Sequence, residues 1–452
     1  MTGLRIRTAT GDDSTLSQDT LARLASSLRG ELVARDAPGY DDVRRIWNAM
    51  VERRPALFAR CRSAADVARV VRVARDAGLI LAVRGGGHNI AGLALADDAL
   101  VVDLAPMRAI RIDPTRRTAR VEPGVTLGEF DQDAQTYGLA TPLGINSTTG
   151  VAGLTLGGGY GWLSRRYGLT IDNLRSVDVV TTDGEVVVAN ESENSDLFWA
   201  VRGGGGNFGV VTSFEYELHP VGPEVLAGLI VHPFDDAPAL LRAYRDVMAQ
   251  APDALSAWVV MRQAPPLPFL PEAVHGREVL VIATMYAGSV AEGERAMAPL
   301  RAIGRPHADV IAPAPYAAFQ TAFDPLLAPG ARNYWKTHNF LALSDDLIDT
   351  LVAQVHRLPG PMCEIFLAHL GGAIARVSDD ATAYMGRAAP FVMNVHARWD
   401  DAARDGDFVW WARGVFQATA PHAAAGARGM MFWLTRRRFV GSYFALIAAR
   451  RS

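Results

Sequence analysis

The chain has 452 residues, more than one hydrophobic core usually serves, so two domains are expected. Hydrophobic residues make up 49% and charged residues 21%, with a formal net charge of −3. That is a globular composition, and it gives no footing for nucleic acid or an anionic membrane surface as a partner.

Cys61 and Cys363, the two cysteines, make neither a disulfide framework nor a zinc site, and no metal site is expected. The N-terminus lacks the apolar stretch of a secretory signal, and no apolar run approaches the ~20 residues that cross a bilayer. A reduced, cytoplasmic protein without a membrane partner is expected.

In chain order, residues 1–50 read as a helical lead-in. "SAADVARVVRVARDAGL" (63–79) is a stronger helix, with Ser63 as cap and Gly78 as stop. Strands follow at "ILAV" and "ALVVDL" (99–104), then a hairpin in "AIRIDPTRRTARVEPG" and a helix in "TLGEFDQDAQTYGL". "RSVDVVTTDGEVVVAN" is a hairpin turning at Asp183-Gly184. "SDLFWAVR" is helical and "FGVVTSFEYELHPV" (208–221) is one more strand. After His219-Pro220 amphipathic helices mix with long strands such as "REVLVIATMYAG" and "PFVMNVHARW". The order is α+β rather than a regular βαβ series. Domains are expected over 1–220 and 221–415, with an atypical segment over 416–452.

Seventeen of the 42 glycines fall in three stretches, 85–92, 144–168 and 203–209. Each ends a predicted element. Such clusters serve as turns, or let a long ligand lie along bare backbone; a dinucleotide fits because its pyrophosphate needs many unobstructed N–H donors. "GGGNFG" (204–209) matches G-x-G-x-x-G. However, a helix precedes it and a strand follows, the reverse of a Rossmann motif. There is no P-loop, H-E-x-x-H or G-x-S-x-G. His88 stands at the lip of the first loop, "LAVRGGGHNIAG", where it could bond a phosphate.

"VRGGGHNIAG", "GVAGLTLGGGYGWLSRRYGLTIDNL" and "DLFWAVRGGGGNFGVVTSF", in this order and at these separations, resemble the berberine bridge enzyme-like FAD-linked oxidases of bacterial type, within the vanillyl-alcohol oxidase/PCMH flavoprotein superfamily. The likeness runs over about residues 40 to 400. It implies a PCMH-type FAD-binding domain of two α+β subdomains, with its core about 53–222, and a substrate domain whose antiparallel sheet, flanked by helices, faces the isoalloxazine ring. It implies FAD held through Arg84, Gly85, Gly86, Gly87, His88, Asn89, Gly92, Gly144, Asn146, Thr149, Gly150, Gly153, Gly158, Gly159, Gly161 and Val210. In the family the histidine of this motif bonds covalently to the flavin 8α carbon, so the resemblance implies that link at His88. The second, cysteinyl link of many members falls on Asn146, so a single link is expected, with Thr148 and Thr149 near the flavin.

The resemblance implies oxidation of an alcohol, sugar or natural product by hydride transfer to flavin N5. Dioxygen or another acceptor then reoxidises the flavin, and the protein acts as a monomer or homodimer. On the substrate side Tyr334, His338, His369 and Arg376 are the candidate catalytic residues. Arg376 occupies the slot where some members carry a glutamate, although an arginine is a poor base. Asn394 and His396 are further candidates to line the pocket. Where the family places a Tyr-x-Asn strand, this chain has "MMFWLT", with Met430 for the Tyr and Phe432 for the Asn. Six arginines and no acid follow from Ala427. A flavoprotein impaired by a degenerate end is therefore one alternative; a MurB-like NADPH reductase is another, though no NADPH site is legible.

Overall fold

The computed structural model describes residues 3–424; Met430, Phe432 and the arginine-rich end lie outside the described residues. The expected helical lead-in is mixed. A short antiparallel pair, Leu4–Arg7 with Asp13–Leu16, precedes α1 (Gln18–Ser27), and β1 (Glu31–Ala34) follows. Helical spacing holds for α1, where Ser17 accepts the Thr20 amide. The strands beside it are fixed by partners brought in by the fold, which override local preference.

β2 (Leu57–Arg60), α2 (Ala64–Asp76), β3 (Leu81–Arg84) and β4 (Leu100–Asp103) complete a four-stranded sheet of order β1-β2-β4-β3, with β2 and β3 each parallel to β4. Ser63 caps α2 through the Asp66 amide, and Val67, Val70, Val71 and Ala74 form its buried face. Asp66 is itself buried and accepts the amides of Arg29, Gly30 and Arg62, tying the approach to β1 onto this helix.

The next unit comprises β5 (Ile110–Asp113), β6 (Thr118–Val121), α3 (Leu127–Gln135), α4 (Val151–Leu156), α5 (Ser164–Tyr167), β7 (Leu174–Val180), β8 (Val186–Asn190), α6 (Ser195–Val201) and β9 (Val210–Glu217). Its antiparallel sheet has the order β8-β7-β9-β6-β5, and both expected hairpins are present.

From Glu224 a larger antiparallel sheet begins. It uses β10 (Glu224–Pro233), α7 (Ala237–Ala249), β11 (Leu255–Gln263), β12 (Glu278–Tyr286), α8 (Val290–Arg301), α9 (Tyr316–Gln320), β13 (Arg332–Phe340), α10 (Asp345–Val355), β14 (Glu364–His369), α11 (Ala373–Arg376), β15 (Phe391–Trp399) and α12 (Asp405–Thr419). The strand order is β10-β12-β11-β14-β15-β13, with Ala308–Asp309 and Ala312–Pro315 beside β10. α12 runs through residue 415, the expected end of this unit, and packs on β13 and β15.

Strand alternation divides the large sheet. Val259, Met261, Ile365, Leu367, Met393, Val395 and Ala397 share one core cluster with residues of α7, α10 and α12. Trp258, Phe366, Ala368 and Val392 point the other way and pack on Trp162, Leu163, Leu169 and Ile171. Trp162 and Trp258 stack with centroids 4.0 Å apart. The helices thus cover one face, and the other meets the glycine-rich chain. Among the described residues no helix is long and apolar enough to cross a membrane, and no group of three or more His, Cys, Asp or Glu is placed to hold a metal ion.

Candidate active site

The first two glycine clusters meet. Gly86, in the loop after β3, lies against Gly150 at the start of α4; a Cβ on Gly86 would stand 2.5 Å from both the N and the Cα of Gly150. No side chain fits between these backbones, so both positions must be glycine. Asn89 Oδ1 accepts the Leu93 amide at 3.0 Å and shapes the same loop, with Gly85, Gly87 and Gly92 around it. Gly144, Gly159 and Gly161 pack on Leu154, Thr170 and Leu143, and Gly158 turns the chain beside them. Val210 is buried with Val180 against the α2 cluster.

Gly153 differs from these. It is exposed within α4, and a Cβ there meets nothing within 4 Å. Nothing among the described residues requires glycine at a helical position where alanine would be favoured by up to ~1 kcal/mol. A ligand lying along this backbone would. The crossing loops and the bare α4 surface fit a dinucleotide cofactor.

Arg84 does not face that ligand. Its guanidinium lies inside the four-stranded sheet, bonded to Asp103 through Nε (2.9 Å) and Nη2 (2.5 Å) and to the Val43 carbonyl, over the Phe58 ring. Both ends of the pair are buried. The residue expected to hold cofactor instead fixes the strand that launches the loop.

His88 stands half-buried beside the crossing. Its ring stacks on Trp47, centroids 4.8 Å apart, and its Nε2 lies 2.8 Å from Thr148 Oγ1. Thr149 Oγ1 is 3.5 Å from Nδ1. Burial pushes the His88 pKa down to about 4, so the ring is neutral at pH 7. Asn146 turns its Oδ1 to the Thr148 amide and hydroxyl.

The large sheet brings a polar row toward this histidine. Trp47 meets Trp335 edge-on at 5.6 Å, and Trp335 stacks on His396 at 4.1 Å. His396 Nδ1 donates to Glu364 Oε1 at 2.8 Å, and Arg262 Nη1 donates to Glu364 Oε2 at 2.8 Å. Asn394 Nδ2 donates to His396 Nε2 at 2.6 Å, and Thr337 Oγ1 donates to Asn394 Oδ1 at 3.1 Å. Burial opposes ionisation of Glu364, but Arg262 and His396 outweigh it and hold its pKa at about 2. A charged carboxylate on Nδ1–H leaves the lone pair of His396 on Nε2.

The four candidate catalytic residues are placed elsewhere. Tyr334 and His338 share the phase of Phe340, not of Trp335, and so face the helices. The Tyr334 hydroxyl accepts Arg413 Nε at 3.1 Å. His338 stacks on Phe416 at 3.9 Å and donates from Nε2 to the Phe416 carbonyl. His369 accepts Arg165 Nη1 on Nδ1 at 2.8 Å, and burial, then Arg165, push its pKa down to about 3. Arg376 is exposed and pairs with Asp253 at 2.6 Å. Asn394 and His396 do lie on the inner face. Glu364, Arg262, Trp335 and Trp47 escaped the sequence reading, because the strand or loop around each carries no pattern that marks it.

A dinucleotide cradle, a neutral histidine beside it and a sheet carrying a histidine–carboxylate pair define an FAD-dependent oxidoreductase. Residues 55–190 match the FAD binding domain family. An FAD-linked oxidoreductase of Dictyostelium discoideum is 32% identical over 367 residues, 80% of this chain and 77% of that protein. (R)-6-hydroxynicotine oxidase of Paenarthrobacter nicotinovorans is 37% identical over 288 residues, 63% of this chain; the chain spans only 61% of that relative's length. The fold is also that of Physcomitrella patens BBE-like 1, with a TM-score of 0.81 at 22% identity, covering 90% and 89% of the two chains. The chain belongs to the berberine bridge enzyme-like FAD-linked oxidoreductases.

Proposed function

We propose that this enzyme oxidises a carbon bearing a hydroxyl or amine in an alcohol, sugar or natural product, with FAD bonded covalently to His88 and His396 as the base. We assign the flavin to residues 1–220 and the substrate face to the sheet that follows. FAD, when bound, would supply the two-electron acceptor, with dioxygen or another acceptor reoxidising it. The chain supplies the rest. His396 Nε2 takes the O–H or N–H proton of a substrate that displaces the Asn394 amide. Glu364 fixes the tautomer and stabilises the imidazolium, as a buried carboxylate does behind a catalytic histidine. Arg262 keeps Glu364 ionised. Trp335 and Phe366 stack beside the His396 ring at 4.1 and 5.9 Å.

The His396–Glu364 pair, linked to His88 through two tryptophans, carries this reading. It is tested by anaerobic flavin reduction with a substrate panel. His396→Asn should keep its flavin spectrum and reduce it about 10²–10⁴ times more slowly. An unchanged rate with a substrate that the wild type oxidises would remove His396 from this role. The link to His88 is read separately by acid precipitation: flavin should stay in the wild-type pellet and leave that of His88→Ala.

A further inference from the structure

We propose that Arg387, on a loop of the large sheet, is a positioning residue for the cofactor: through Asp172 it fixes the backbone of Gly158 and Gly159 in the second glycine cluster. This rests on that cluster receiving the FAD.

β14 and β15 are antiparallel neighbours, with His369 opposite Phe391. A turn of a few residues would join them. Instead the chain spends residues 370–390 on the connection, and the Leu370 amide closes its base on the Pro390 carbonyl at 2.6 Å. Connections this long inside a compact unit commonly carry function. This one leaves the sheet and crosses to α6 and the third glycine cluster. Trp199 Nε1 of α6 donates to the Asp380 carbonyl at 2.7 Å, and the Ala383 amide donates to the Trp199 carbonyl at 3.2 Å. A Cβ on Gly203, at φ +109°, would stand 2.5 Å from the Tyr384 nitrogen. The third cluster thus opens with a glycine that this loop requires.

Arg387 ends the crossing, with its side chain 1% exposed. Its Nη1 and Nη2 donate to Asp172 Oδ2 at 2.9 Å and Oδ1 at 2.7 Å, and Nη2 also donates to Thr382 Oγ1 at 2.9 Å. Asp172 belongs to the turn Thr170–Asn173, and its Oδ2 accepts the Leu169 amide at 2.8 Å. From that turn the Thr170 amide donates to the Gly159 carbonyl at 2.9 Å, and the Ile171 amide donates to the Gly158 carbonyl at 3.1 Å. A guanidinium from the large sheet therefore sets a carboxylate, the carboxylate sets a turn, and the turn sets two glycines held at φ +115° and +73°. Apolar side chains would join the units at least as firmly, because a buried ion pair is a weak source of stability. What a two-pronged fork adds is a fixed distance and angle.

The test separates that geometry from stability. Full-length protein, made without flavin by riboflavin-starved expression, is titrated with 8-demethyl-FAD, which lacks the methyl carbon that a histidine could bond. Affinity, the visible circular dichroism of the bound ring and the melting temperature of the flavin-free chain are read together. Arg387→Lys keeps the buried charge opposite Asp172 but cannot span both oxygens. It should melt close to wild type, bind the analogue about tenfold more weakly, the worth of one hydrogen bond, and change the dichroism. Trp199→Phe loosens the same loop at its other attachment and leaves the fork intact, so affinity and dichroism should hold. An Arg387→Lys protein with wild-type affinity and dichroism overturns the proposal. So does one whose affinity falls only in step with its melting temperature, since the pair would then be structural, and so does a Trp199→Phe protein that loses both readouts to the same degree. A wild type that binds no analogue overturns the cradle and this proposal together, and leaves the role of His396 to its own experiment.

Discussion

The side chains nearest the chemistry are held by partners of fixed polarity. Glu364 illustrates the cost of removing one. Its folded pKa of about 2 lies below the ordinary value of 4.5, so its ionised form stabilises the fold above pH 4.5, and that contribution is lost as pH falls toward 2. Glu364→Gln should flatten the acid limb of the thermal stability curve between those values; a limb identical to wild type would show that the carboxylate is not held by Arg262 and His396. The same substitution keeps the shape of the side chain but removes its charge, so flavin reduction should slow while flavin content holds.

At this scale the sequence was legible for the glycines and illegible for the His396–Glu364 pair. "RGGGHN" names its own backbone demand, because only glycine passes where Gly86 meets Gly150. "NYWKTHNF" gives no such cue. Tyr, Lys and His occupy one phase and Asn, Trp, Thr and Asn the other, so polarity does not say which side faces the helices. Phe416 and Arg413, reached only when α12 packs on β13, decide it.

Among elements, α4 and the four-stranded sheet make opposite demands on the same loop. Gly153 is a weak helix residue retained on an open surface. Gly153→Ala should raise the melting temperature of flavin-free protein, since alanine is favoured by up to ~1 kcal/mol in a helix, and should lower flavin loading because the methyl occupies the ligand's path. Equal loading in a titration with FAD would show that α4 does not line the cofactor. Arg84 and Asp103 form a buried pair inside the sheet, and breaking such a pair typically costs ~3–5 kcal/mol. Asp103→Ala should therefore unfold at markedly lower denaturant, whether or not flavin is added; a loss confined to flavin binding would return Arg84 to the cofactor. Both hairpins were legible as period-two runs about a turn. The short strands near the N-terminus were not, because pairing with Asp13–Leu16 and with β2 makes them strands.

Across the whole molecule, the units are joined by buried polar contacts as well as by the Trp162–Trp258 stack. Asn48 Nδ2 donates to the Ile90 carbonyl beside the first glycine loop and to the Asn333 carbonyl of the large sheet. Gln320 of α9 donates to Asp131 of α3 at 2.8 Å, deep between them. Burial raises the Asp131 pKa from 3.8 to about 7. The stability linked to its protonated form is fully present below pH 3.8 and is lost as pH rises through 7. Asp131→Asn keeps a polar group for Gln320 without the charge, so its melting temperature should gain on wild type between pH 5 and pH 8. A gap that does not widen with pH would place the titration elsewhere.

The alternation of β13, β14 and β15 also bears on how this enzyme can change. On each strand every second residue belongs to the helix-backed core and the residues between belong to the opposite face. Trp335, Thr337 and Asn394 lie on the face opposite Tyr334, His338, Ile365, Leu367, Met393 and Val395, which keep the sheet seated on its helices. None of the three belongs to the crossing of Gly86 and Gly150. A lineage, or a library, could therefore redraw what the enzyme accepts by drawing on three codons, two of them on one strand, and keep His396 and Glu364 in place.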